Sequence, residues 1–71
     1  MKYLIICEKT ATGYSAYAPD LPGCIAGDST FAETAELMRG AIRMHLEAMR
    51  EDGDPIPVPT TRADYIEAPA A

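Results

Sequence analysis

Residues 30 to 55 describe one long helix with both ends marked, and that helix limits what the rest of the chain can do. Thr30 followed by Glu33 makes a capping box: the hydroxyl serves the Glu33 N–H, and the carboxylate reaches back. The helix is expected to run from Phe31 to about Asp52, where Gly53 supplies a left-handed stop and Pro55 prevents continuation. Phe31, Ala35, Met38, Ile42, Leu46 and Met49 form one apolar stripe. Leu37, Ala41, Met44 and Ala48 form a second, rotated by roughly 110° at ~100° per residue. The remaining face is narrow and polar, with favourable pairs at Glu36–Arg39, Arg43–Glu47 and Glu47–Arg50.

One stripe must pack on a sheet, and the other completes the core or meets another subunit. The chain has 71 residues, and a domain of this size buries only about 60% of its unfolded surface. The surplus apolar face therefore favours a homo-oligomer, a dimer or tetramer, with Leu37, Ala41, Met44, His45 and Ala48 at its interface. His45 lies between the stripes with no acid one helical turn away, so it reads as a packed residue and not as a catalyst.

The segments before the helix have the period of strands. In residues 2–8, Tyr3, Ile5 and Cys7 point to one face and Leu4 and Ile6 to the other, the pattern of a central strand covered on both sides. A turn over residues 9–13 leads into a second strand at 14–18, so the pair is an antiparallel hairpin. In "PDLPGC", residues 19–24, two prolines cannot sit inside a central strand, and Gly23 tolerates a tight turn. This stretch is a stiff corner into a third strand, about residues 24–27.

After the helix, residues 54–59 alternate proline with other residues and are extended. Tyr65-Ile66 is then expected as a short fourth strand, returning parallel to the first in the order 3-2-1-4. The class is α+β, a three-stranded antiparallel meander with one helix on one face and a fourth strand. A single domain spans residues 1–71, with 68–71 a frayed tail.

Composition removes several functions. Eleven acids against six bases give a net charge of −5, and without clustered cations the chain is not expected to bind DNA or RNA. No apolar run approaches the ~20 residues of a membrane span. The opening residues lack a signal-peptide pattern, so a cytoplasmic location is expected. Cys7, Cys24 and His45 have no metal-ligand spacing, and neither a metal nor a cofactor is expected. A Cys7–Cys24 disulfide would require adjacent strands to bring the two together, and a cytoplasmic setting disfavours it.

The chain is also not expected to be an enzyme. Glu8, Asp20 and Asp28 lie near strand ends, but two-metal phosphodiester cleavage needs a further carboxylate, and the inward helix stripes carry none. Cys24 has no nearby base to make a thiolate.

The runs "GYSAYAPDLPGCIAGDSTFAETAE" and "AIRMHLEAMREDGDPIPVP" together resemble the N-terminal domain of HicB-type antitoxins over about residues 1–67. The resemblance implies a β-β-β-α-β fold like a partial ribonuclease H domain. It also implies a role in a toxin–antitoxin pair, in which the antitoxin binds and masks a small basic HicA toxin that cleaves mRNA. Many members carry a C-terminal DNA-binding domain; residues 68–71 leave no room for one here, so direct operator binding is not expected.

A corner formed by Asp20, Leu21 and Pro22, with Glu36 and Glu47 on the outer helix, is the expected partner-binding surface. The alternative is a solitary homo-oligomeric regulatory or scaffolding domain without a toxin partner.

Overall fold

The computed structural model describes residues 1–70. Three strands precede one helix: β1 (Ile6–Lys9), β2 (Tyr14–Tyr17), β3 (Ile25–Asp28) and α1 (Phe31–Glu51). Both strand pairs are antiparallel, with β2 in the middle. Cys7, Ala16 and Ala26 stand side by side across the sheet and face the helix, while Ile6, Tyr17 and Ile25 form the matching row on the open face.

The helix ends are formed as the sequence predicts, with one change. Thr30 is extended at φ −123° and ψ 162°, and its hydroxyl accepts from the Glu33 N–H at 3.1 Å. The Glu33 carboxylate reaches back to hydroxyls, not to backbone: Ser29 and Thr30 donate to it at 3.0 and 2.9 Å. At the other end Gly53 has φ +73°. Its N–H donates to the Arg50 carbonyl and that of Asp54 to the Met49 carbonyl, at 3.1 and 2.8 Å. These two bonds form a Schellman motif, which only a residue tolerant of positive φ closes without strain.

The core is small and lies between the sheet and one side of α1. Ala16, Ala18, Leu21, Cys24 and Met38 are its buried apolar members, with Ile5, Ala41, Ile42, Leu46 and Met49 packed around them. Thr34 is buried as well, its hydroxyl donating to the Thr30 carbonyl at 2.8 Å. Phe31 departs from its expected place in the core stripe. It is exposed and rests edge-on against Tyr14, with centroids 6.0 Å apart, because the first helical turn begins just beyond the sheet's end.

The expected fourth strand does not form within the chain. Tyr65 and Ile66 are 100% and 84% exposed, no strand or turn occurs over residues 54–70, and the order among the described residues is β1-β2-β3 rather than 3-2-1-4. β1 is therefore an edge strand. It starts at Ile6 instead of residue 2, because its partner Tyr17 is the last residue of β2 and the chain then turns into the corner. The expected fraying of residues 68–71 includes Ala71, which lies outside the described residues. With the tail extended, the radius of gyration is 14.2 Å, against about 11 Å for a compact chain of this length.

Removing side chain from the core and from the tail should therefore differ sharply. Leu21→Ala is expected to cost about 2–5 kcal/mol, and Tyr65→Ala less than about 0.5 kcal/mol, as read from urea unfolding midpoints of the monomer in dilute solution.

Candidate partner-binding surfaces

The corner between β2 and β3 is a run of turns. The Leu21 N–H donates to the Ala18 carbonyl and the Cys24 N–H to the Leu21 carbonyl, both at 3.0 Å. The Ala18 N–H closes the base of the loop on the Cys24 carbonyl at 3.2 Å. Gly23 sits at φ +84°, a conformation costly for any residue with a β-carbon. This winding splits three neighbours expected to act together. Leu21 turns inward and is fully buried, so its side chain is not available to a partner; Pro22 is exposed, and Asp20 is half-buried.

Asp20 is already engaged within the chain. Its Oδ2 accepts from the backbone N–H groups of Thr60 and Thr61, both at 3.0 Å. Its Oδ1 accepts from the Thr61 hydroxyl at 2.6 Å and the Thr60 hydroxyl at 3.3 Å. The tail is held a second time where the Tyr3 hydroxyl donates to the Pro57 carbonyl. The tail thus leaves the helix, passes the start of β1, and is fastened at the β2–β3 corner. Nothing local in the sequence marks this clamp, because Asp20 and its threonines are 40 and 41 positions apart.

The outward side of α1 is charged unevenly. Leu37 and Met44 are 46% and 70% exposed, and Ala48 is exposed beside them. The other two residues expected at a subunit interface lie deeper: Ala41 packs on the core and His45 is half-buried. At ~100° per residue, Glu33, Glu36, Glu47 and Glu51 all fall within about 100° of Leu37 on one flank, while Arg39 and Arg50 fall farther round. Glu36 and Glu47 are exposed. Of the three expected ion pairs, Glu36–Arg39 at 3.4 Å is the one formed among the described residues, and at that exposure it adds little stability.

Elsewhere, Cys7 and Cys24 are free thiols. Burial pushes the Cys24 thiol up, which keeps it protonated and unreactive. Among the described residues no group of three or more His, Cys, Asp or Glu is placed to hold a metal ion, and no helix is long and apolar enough to cross a membrane. The row Ile6–Tyr17–Ile25 adds an apolar patch on the open sheet face, where the two-faced pattern of residues 2–8 predicts a cover.

Known proteins resemble this chain in sequence and in fold. Residues 3–71 match the family described as HicB_like antitoxin of bacterial toxin-antitoxin system. A 14.9 kDa protein of Haemophilus phage HP1, from its rep-hol intergenic region, is 36% identical over 69 residues. The match covers 97% of this chain and 52% of the phage protein, so the chain spans about half that relative's length. A UPF0150 protein of Archaeoglobus fulgidus is 38% identical over 57 residues, covering 76% of this chain and 83% of its own. Among solved structures, a chain of a HicA3 and HicB3 toxin-antitoxin complex superposes with a TM-score of 0.72 at 35% identity. That superposition covers 84% of this chain and 70% of the other.

The clamp has a pH signature. The Thr61 hydroxyl bond and then the Thr61 N–H hold the Asp20 carboxyl below its ordinary value, against an opposing effect of burial, with smaller help from the Thr60 bonds. The folded chain thus prefers the ionised form. The clamp's contribution is complete above the unfolded carboxyl's value and is lost as pH falls through the lowered folded value. On acidification through that range, the amide NMR signals of Thr60 and Thr61 should move to the positions they occupy in Asp20→Ala at neutral pH.

Proposed function

The chain belongs to the HicB-like antitoxin family of bacterial toxin–antitoxin systems, and we propose that it is the antitoxin module that binds and masks a small basic HicA-type ribonuclease. The observation that carries this reading is the likeness to a chain of the HicA3 and HicB3 complex, at 35% identity over most of this chain. On this reading residues 1–71 form one partial ribonuclease H-like module working in the cytoplasm, binding a protein rather than catalysing a reaction.

The outer strip of α1 is the surface we assign to the toxin. Leu37 and Met44 supply exposed apolar contact, and Glu36 and Glu47 lie on the acidic flank beside them. An interface of this kind gains specificity and association rate from charge, and binding energy from the apolar centre. Asp20 holds the tail and Pro22 is the exposed tip of the corner, so Asp20 would act on the toxin by positioning the tail rather than by touching it.

The experiment begins by establishing whether a small basic reading frame adjoins this chain's gene, as the antitoxin reading requires. The purified product of that frame should co-elute with this chain and lose its ribonuclease activity when the chain is in excess. Glu36→Lys with Glu47→Lys should weaken the complex by about tenfold or more at low salt and by less at high salt, leaving the melting temperature of the free chain nearly unchanged. Two separate proteins on the column, with RNA cleavage undiminished, would return the chain to the solitary scaffolding role.

A further inference from the structure

We propose that the tail of one copy, Asp64–Glu67, adds as a strand to the free edge of β1 in a second copy, so that two chains exchange tails in a closed dimer. The proposal goes beyond the antitoxin assignment and does not rest on it.

The tail is built like a strand but has nowhere to pair in its own chain. Tyr65 and Ile66 carry two of the most exposed large apolar side chains of the described residues, at 100% and 84%. Burying such a pair stabilises an assembly by more than the polar residues around it can. The clamp fixes where this segment leaves: Thr60 and Thr61 are held at the corner between β2 and β3, at the end of the sheet where β1 begins. No turn follows over residues 62–70 that would bring the chain back.

The edge of β1 offers the matching site. Residues 2–5 enter no strand pairing, yet Tyr3, Leu4 and Ile5 are apolar at successive positions, which in the register of β1 alternate between the two faces. On the helix side, Tyr3 and Ile5 with Ile42 and Leu46 line a groove of about 660 Å³. Its wall opposite the helix is Met1, Lys2, Tyr3 and Ile5, the residues that lead into β1, and no residue of the three strands lines it. On the other face stand Leu4 and Ile6, half-buried. A strand laid along this edge sends adjacent residues to opposite faces. Of Tyr65 and Ile66, one therefore enters the groove and the other covers the open face beside Ile6.

Charge favours the same occupant. The groove is rimmed by Lys2, Arg39 and Arg50, half of the chain's six Lys and Arg residues. The tail carries Asp64 and Glu67 on either side of its apolar pair. Because Glu67 shares a face with Tyr65 and Asp64 with Ile66, one acid meets this basic rim whichever apolar residue enters the groove. Reciprocal exchange closes the assembly at two copies, whereas one-way exchange would grow an open chain.

The test uses the full chain. Light scattering should show a dimer, and Tyr65→Asp with Ile66→Asp should weaken it by about tenfold or more while leaving the melting curve of the monomer in place, since both side chains are exposed there. Isotope-filtered NMR on a mixture of labelled and unlabelled copies should then show contacts from the Tyr65 ring and Ile66 methyl groups of one copy to Ile5, Ile42 and Leu46 of the other. A full chain that stays monomeric at NMR concentrations overturns the proposal. So does a dimer indifferent to the double substitution, or a set of tail contacts confined to one copy.

Discussion

Small side chains on the helix-facing side of the sheet set the terms for the whole molecule. Ala16, Ala18, Cys24 and Ala26 present little volume there, so α1 can lie close enough for Met38 and Leu21 to fill the remaining space. A larger residue at any of these places would push the helix out and open the core, since packed interiors do not absorb an extra methylene without strain. With three four-residue strands, the sheet supports only the middle of a 21-residue helix. Both helix ends must then be held by their own local chemistry. The hydroxyl–carboxylate cluster at Thr30 and the Schellman closure at Gly53 supply it.

That economy leaves the helix with a core side and two unlike outer sides. The acidic flank next to Leu37 and Met44 and the basic rim over the groove lie side by side on one helix and meet where Glu36 pairs with Arg39 at 3.4 Å.

The helix, its caps, the hairpin and the corner were legible because each is encoded within a few residues: Thr30 with Glu33, Gly53 with Pro55, Pro19 with Pro22 and Gly23. Periodicity also identified the stripe that meets the sheet, apart from Phe31, whose position depends on where the sheet stops. What could not be read depends on pairs distant in the chain. Asp20 is expected from sequence at a partner-binding corner, but its partners within the chain are Thr60 and Thr61, and no local pattern links them. Leu21 was misplaced for a related reason: a corner rich in proline looks like a projection until the turn geometry shows which neighbour points inward. The two-faced apolar pattern of residues 3–7 predicted a flanking strand, and within this chain that place is unfilled.

The clamp on Thr60 and Thr61 also divides the chain by lifetime. The sheet, the helix and the corner all lie before it, whereas in a single copy residues 62–70 are exposed and enter no helix, strand or turn, a state open to a protease without unfolding of the domain. Limited digestion would shorten the chain beyond the clamp and spare the domain. The two parts can thus be turned over at different rates, and any function that depends on the tail ends before the fold does.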